Sequence, residues 1–314
     1  MNSKQIFSTS LKRLRVALLN TKIKVLILLC RVCVVLGMAL CIQGCSLLQT
    51  TYNQSVEITE WWIDGYVDLN SKQKATLRND LVEIHNWHRT TQLALYLDIL
   101  HPLDAKLQGN LNQETVCGLE PDVKARIADL LVAFEPALTH LALHLKPGQL
   151  VYLQRKYDKN NKEWRADWLE GSAEDRLEFR LKKDREMGER LYGKLTSAQL
   201  SLLQELLLES PFDPERTYAE RLRRQADSIQ VLKTISQEHP AYEEARQSIH
   251  ALLLRSTLDS PDSSYQDYHM KALRSQCARA VRFHNSASDK QKLRAFKTVQ
   301  AFEQDLTELM AKKN

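Results

Sequence analysis

The sequence predicts an all-α fold, an elongated bundle of about ten helices, some of them kinked at proline. Three observations carry this. Only 9 of 314 residues are Gly and 8 are Pro, about 5% together against the ~12% of average usage. Sheets with tight turns and phosphate-binding loops consume glycine, so sandwiches, barrels and Rossmann-type folds are disfavoured. Apolar residues recur every three to four positions along most of the chain, the period of a helix that buries one face. Hydrophobic residues at 43% and charged residues at 26% are those of a globular protein, which argues against a disordered or collagen-like chain.

Taken in order, residues 1–44 read as an export signal. They hold Lys4, Lys12, Arg13, Arg15, Lys22, Lys24 and Arg31 and no acid. Removing these seven leaves 37 basic against 39 acidic residues, a net of −2, although the whole chain carries +5. The basic character belongs to the leader, and no nucleic-acid partner is expected. A basic n-region precedes an apolar h-region, Val32 to Ile42, which ends in Ile42-Gln43-Gly44-Cys45. This resembles the bacterial lipobox, in which the Cys sulfur receives diacylglycerol before cleavage. Cys45 is thus the expected lipidation site, and three acyl chains exceed the two signals needed for stable anchoring. The alternative is an uncleaved inner-membrane anchor over Val25 to Ile42, 18 residues and slightly short of a ~20-residue span. Ser46, where Asp would retain the protein, implies sorting to the outer membrane by resemblance to Gram-negative lipoproteins.

Residues 45–55 read as a lipidated tether, and 56–314 as a helical domain facing the periplasm, large enough for two lobes. Helices are expected at roughly 56–68, 71–100, 112–145, 147–169, 173–194, 197–209, 214–237, 241–258, 263–284 and 289–311. Thr196-x-x-Gln199 and Ser288-x-x-Gln291 are capping boxes, and Asp213-Pro214 places a capping carboxylate before a first-turn proline. Asn70-Ser-Lys-Gln73 repeats the phrase, read as a shared capping solution rather than an internal repeat. Pro121 and Pro136 should kink or split the third segment, and His101-Pro102 and His239-Pro240 mark boundaries. Trp61 and Trp62 are expected to bury against the second helix; the alternative is contact with the membrane interface, which a ten-residue tether of at most about 35 Å allows. Residues 173–190 carry 12 charges in 18 and read as a solvated helix with Glu178–Lys182 and Glu186–Arg190 pairs. The last helix should pack through Leu293, Phe296, Val299, Phe302, Leu306 and Leu309.

A set of short motifs runs through the mature chain: Tyr52-Asn53-Gln54, Tyr66-Val67-Asp68-Leu69, Trp87-His88-Arg89, Tyr96, Asn161-Lys162-Glu163-Trp164-Arg165, Ser210-Pro211-Phe212-Asp213-Pro214 and His284-Asn285-Ser286. With the lipobox, their order and spacing resemble an uncharacterised family of Gram-negative lipoproteins classed as a domain of unknown function. The resemblance implies fold and location and supplies no mechanism. Trp87, His88, Arg89, Tyr96, Trp164 and Trp168 are the binding-residue candidates; for Trp164 and Trp168, four apart on one helix face, packing in the core or along a groove is the expected role.

No nucleotide-binding, nucleophile-elbow or zinc-protease motif occurs. His140 and His144 have the i, i+4 spacing that lets two imidazoles share a metal, but without a third ligand a packed pair is expected. His85 and His88 are expected to hydrogen-bond between helices. Arg216, Arg221, Arg223 and Arg224 are expected to pair with Glu215 and Glu220 rather than with lipid phosphate. No catalytic residue, metal or cofactor is expected. Cys30, Cys33 and Cys41 leave with the signal and Cys45 is consumed as a thioether, so Cys117 and Cys277 remain in an oxidising compartment. A disulfide between them is expected, with two separately buried thiols the alternative. Two functions stay open: a non-catalytic protein-binding, chaperone or assembly-type envelope lipoprotein, whose Leu195-Thr196-x-x-Gln199 looks like the helix starts of periplasmic stress chaperones, or a hydrolase acting on envelope lipid or glycan. A deep polar cleft with converging His and carboxylates would favour the enzyme, and an apolar concave face would favour binding.

Overall fold

The computed structural model describes residues 47–311, which are helical with no strand among them. The leader and Cys45 lie outside those residues. The helices are α1 (Leu47–Asn53), α2 (Ser55–Val67), α3 (Ser71–Trp87), a π-helical turn (His88–Gln92), α4 (Leu93–Leu107), α5 (Gln113–Cys117), α6 (Glu120–Leu143), α7 (Pro147–Trp168), α8 (Ala173–Tyr192), α9 (Ser197–Leu208), α10 (Pro214–Glu238), α11 (Tyr242–Thr257), α12 (Ser263–Asn285) and α13 (Asp289–Ala311). None of them is long and apolar enough to cross a membrane.

Three expectations about boundaries need correction. The tether is helical over Leu47–Asn53, because it contains neither Gly nor Pro to oppose the helix. The segment expected to stop at His101 continues through Pro102 to Leu107. Pro102 and Asp98, whose carbonyl loses its partner, are both exposed, so water replaces the bond. The third segment splits at Gly118-Leu119; Pro121 sits in the first turn of α6, where a missing N–H costs nothing. Pro136 stays inside α6 with the exposed Val132 carbonyl four residues back. At the π turn the wider spacing is served by hydroxyls: Thr90 Oγ1 donates to the Asn86 carbonyl (2.8 Å) and Thr91 Oγ1 to that of Trp87 (2.7 Å).

From Asn53 onward the chain forms one compact unit, and apolar clusters among its described residues tie the helices together. Val56, Ile63 and Val67 of α2 meet Leu77 and Leu81 of α3 and Ala137 of α6. Ala142 of α6 meets Ile235 of α10 and Ala245 and Ile249 of α11. Tyr192, Leu203, Leu206, Phe283 and Ala295 join α8, α9, α12 and α13. Gly188 of α8 allows the close approach in the third cluster, since an added Cβ would lie 3.2 Å from Leu195 Cδ1 and 3.3 Å from Phe283 Cζ.

The recurring capping phrase does more than cap. Gln73 and Gln149 exchange two amide hydrogen bonds (3.0 and 2.9 Å), and Gln199 and Gln291 exchange two at 3.0 Å. Each glutamine oxygen also accepts the backbone N–H three residues before it, from Asn70, Lys146, Thr196 and Ser288. Each amide nitrogen gives its second proton to a carbonyl that ends the opposite helix connection: His144, Asp68, Ser286 and Lys194. Two helix starts are thus locked to each other in each pair, α3 with α7 and α9 with α13. The neighbouring Leu69, Leu145, Leu195 and Ala287 are buried beside them.

Other side-chain expectations fare differently. Trp61 and Trp62 are exposed, not buried against α3; α2 turns Val56, Ile63 and Val67 inward instead. On α13, Leu293 and Phe302 are exposed, and the buried positions are Lys292, Ala295, Glu303 and Leu309. The helix is rotated because it packs on both α4 and α8. On α8 the intrahelical ion pair is Arg185–Glu189 (2.9 Å), while Asp184 reaches across to Arg279.

Candidate functional site

Cys117, the last residue of α5, and Cys277, in the middle of α12, are joined by a disulfide with Cα atoms 5.6 Å apart. The bond fixes α12 against α5, and α12 packs there and on α9 rather than along α6. The space left between α6, α12 and the end of α11 is a groove of about 600 Å³, within the range of ligand-binding clefts. Its walls come from two helical repeats: Val116, Leu119, Val123 and Ile127 on one side, and Met270, Leu273, Cys277 and Ala280 on the other, with Leu258 closing one end. Val123 is 45% exposed, Ile127 38% and Met270 40%.

Three of the groove's charged residues, Lys124, Asp259 and Arg224, are held in ion pairs. Lys124 Nζ meets Asp259 Oδ1 at 3.0 Å, and Arg224 Nε meets Glu220 Oε1 at 2.7 Å while its guanidinium lies 5.8 Å over the Tyr265 ring. His269 stacks on Tyr265 at 6.2 Å. Gln266 Nε2 donates to the Ser260 carbonyl at 2.5 Å, holding the loop after α11. Chemically the groove can take apolar surface out of water, with paired charges at its rim.

The sequence-predicted residues fall in two other places. Trp87, His88, Arg89 and Tyr96 gather at the π turn. His88 Nε2 is 3.0 Å from Tyr96 Oη, and the Trp87 and His88 rings are 6.2 Å apart. The Tyr96 contact lies within the same helical run as His88. Burial, and then the neighbouring His85, lower the His88 pKa; burial raises that of Tyr96. Arg89 is buried and gives Nη2–H to Asn53 Oδ1 at 2.6 Å. Trp164 and Trp168 belong to a half-buried aromatic ladder: Trp164 stacks on Tyr218 (5.3 Å) and Trp168 (5.9 Å), and Trp168 meets Phe179 and Phe212 edge-on. Arg165 covers Tyr218 and Arg180 covers Phe212. The two groups share no contact among the described residues.

His140 Nδ1 pairs with Asp80 Oδ2 at 3.0 Å, and His144 Nδ1 lies 2.8 Å from the His140 carbonyl, so the two rings do not converge. Of the arginine cluster, Arg223 and Arg224 share Glu220, Arg221 donates to Asn161, and Arg216 binds Ser264 rather than Glu215. One buried carboxylate escaped sequence reasoning. Glu135 of α6 binds Arg246 (2.8 Å) and His250 Nδ1 (2.5 Å) of α11. Its partners lie more than a hundred residues away, and an acid on the apolar face of α6 was the one available signal. The groove was also missed: Cys277 lines it, but a disulfide expected from the sequence does not reveal the space beside it.

Helices locked start to start beside an apolar groove make up an all-helical domain. The chain belongs to DUF6279, a family of unknown function whose model matches residues 65–266. No curated protein and no solved structure matches it.

Proposed function

We propose that this protein is a lipoprotein of the Gram-negative outer membrane, anchored through Cys45, whose helical body binds an apolar segment of another envelope protein without catalysing a reaction. The groove beside the disulfide carries this reading. Its walls are aliphatic and partly open to water, and Lys124, Asp259 and Arg224 at its rim are held in ion pairs, an arrangement suited to covering apolar surface. The lipobox, the export-type leader and the even pair of mature cysteines support the location. A photo-crosslinking side chain placed at Ile127 should yield one dominant protein adduct in the native envelope, and Met270→Glu should reduce that adduct at least about tenfold, since a charge buried in the contact costs more than 1.4 kcal/mol. Equal yields with and without Met270→Glu would remove the groove from the interaction. Cys45→Ala should leave a full-length precursor that incorporates no labelled fatty acid; normal processing would remove the lipid anchor.

A further inference from the structure

Helix α2 separates its side chains into an engaged face and an idle one. Its acids turn toward α3, where Arg78 takes Glu57 (2.5 Å) and Glu60 (2.9 Å) and Lys74 takes Asp64 (2.8 Å). Away from them, Ile58, Trp61 and Trp62 stand at i, i+3 and i+4, exposed by 42%, 73% and 56%. Two indoles left in water are an expensive arrangement for a helix that already has a buried face. Trp62 continues into a second layer: its ring is 4.8 Å from that of Tyr66, and the Lys156 ammonium of α7 lies 5.4 Å over Tyr66. Apolar tip, indole, phenol and ammonium in that order are what the boundary between hydrocarbon and lipid headgroups selects.

We propose that this face, formed by Ile58, Trp61, Trp62 and Lys156, docks on the phospholipid surface of the membrane that holds the acyl anchor. The inference rests on the lipid-anchor reading in one respect, the distance to the bilayer. Trp61 lies 16 residues after Cys45, and Leu47–Asn53 and Ser55 onward are helical, which limits the contour from Cys45 to on the order of 30 Å. The indoles therefore stay within reach of the interface, and Lys156 meets lipid phosphate by charge.

The full chain, purified in detergent and reconstituted into phosphatidylethanolamine–phosphatidylglycerol vesicles, tests the docking when the lipids carry bromine near the headgroup. Intact mass of the same sample reports acylation. Two of the five tryptophans should be reached, so roughly two-fifths of the emission should be quenched; in Trp61→Phe/Trp62→Phe the quenching should vanish while the far-ultraviolet spectrum is unchanged. Acylated protein with unquenched emission overturns the docking and leaves the anchor standing. Quenched protein without acyl chains keeps the docking and removes the anchor. Disulfide crosslinking between two copies of a Trp61→Cys variant, with unquenched emission, overturns it in favour of a self-association face.

Discussion

His284 shows what the His-Asn-Ser phrase near the end of α12 does. Its ring is almost wholly buried, with Nδ1 2.9 Å from the Tyr192 hydroxyl and Nε2 3.0 Å from the Gly109 carbonyl. The two contacts define a neutral ring that donates from Nε2 and accepts from Tyr192. Asn285 then takes both backbone groups of Leu111 (2.8 and 2.9 Å), and Lys292 reaches Asn110 (2.7 Å). Three consecutive loop residues are stapled to the α12–α13 corner. Burial, its largest cause, lowers the His284 pKa below the ordinary 6.5, and burial pushes the Tyr192 hydroxyl up to about 12. Since the unfolded chain binds a proton at His284 more readily than the folded one, stability is complete above pH 6.5 and falls as pH drops toward the depressed folded value. His88 acts in the same direction in the same window. Denaturant midpoints measured from pH 7.5 to 5 should therefore decline, and a His284→Phe chain should decline less steeply. Tyr192→Phe should cost about 1–3 kcal/mol at neutral pH, because it leaves a buried ring nitrogen without its donor; an unchanged midpoint would contradict the staple. The motif was visible in the sequence as a phrase, but its partners lie 92 and 175 residues away, and no local period announces such pairing.

Local chemistry accounts for the elements, and so most helix limits were legible. Asn70, Thr196, Ser288 and Asp213 are short polar side chains that take orphan N–H groups, and the apolar period runs on from each. What failed at this scale failed for identifiable reasons. Pro102 and Pro136 sit on solvent faces, where a lost backbone bond is replaced by water, and Lys146 cannot act as a side-chain cap, so the fourth member of the glutamine set went unnoticed. A capping box also reads the same whether its glutamine amide is free or shared. In each exchange every donor and acceptor of both amides is used within the protein. Removing one member therefore strands the other in a buried place. Gln149→Leu or Gln73→Leu alone should cost about 2–3 kcal/mol each, while the double substitution should cost less than their sum, with a coupling energy of about 1–2 kcal/mol. Additive costs in the urea-unfolding cycle would mean that the two amides stabilise their own helix starts independently.

At the scale of the whole molecule, the Cys117–Cys277 bond spans 160 residues and supports the candidate site directly. Helix α5 is five residues long and contains no buried residue; a helix this short has no stability of its own in water. Its position rests on α12, to which the disulfide ties it, and Gly118 just beyond makes a tight exit where an added Cβ would lie 2.7 Å from the Glu114 carbonyl. One wall of the groove starts at Val116, immediately before the bridge. The bond thus contributes in two separable ways. In the unfolded chain it closes a long loop, which the chain-entropy model values at about 5 kcal/mol as an upper figure. In the folded chain it holds α5 in place, and with it the wall of the groove that starts at Val116. Mass spectrometry without reductant should find Cys117 and Cys277 in one bridged peptide, with neither of the two alkylatable after denaturation. Reduction, or Cys117→Ser with Cys277→Ser, should lower the unfolding free energy by up to about 5 kcal/mol and speed hydrogen exchange in residues 113–123, with α2 and α3 little affected under native conditions. Loss of stability without faster exchange there would leave the bridge an unfolded-state constraint and separate it from the groove.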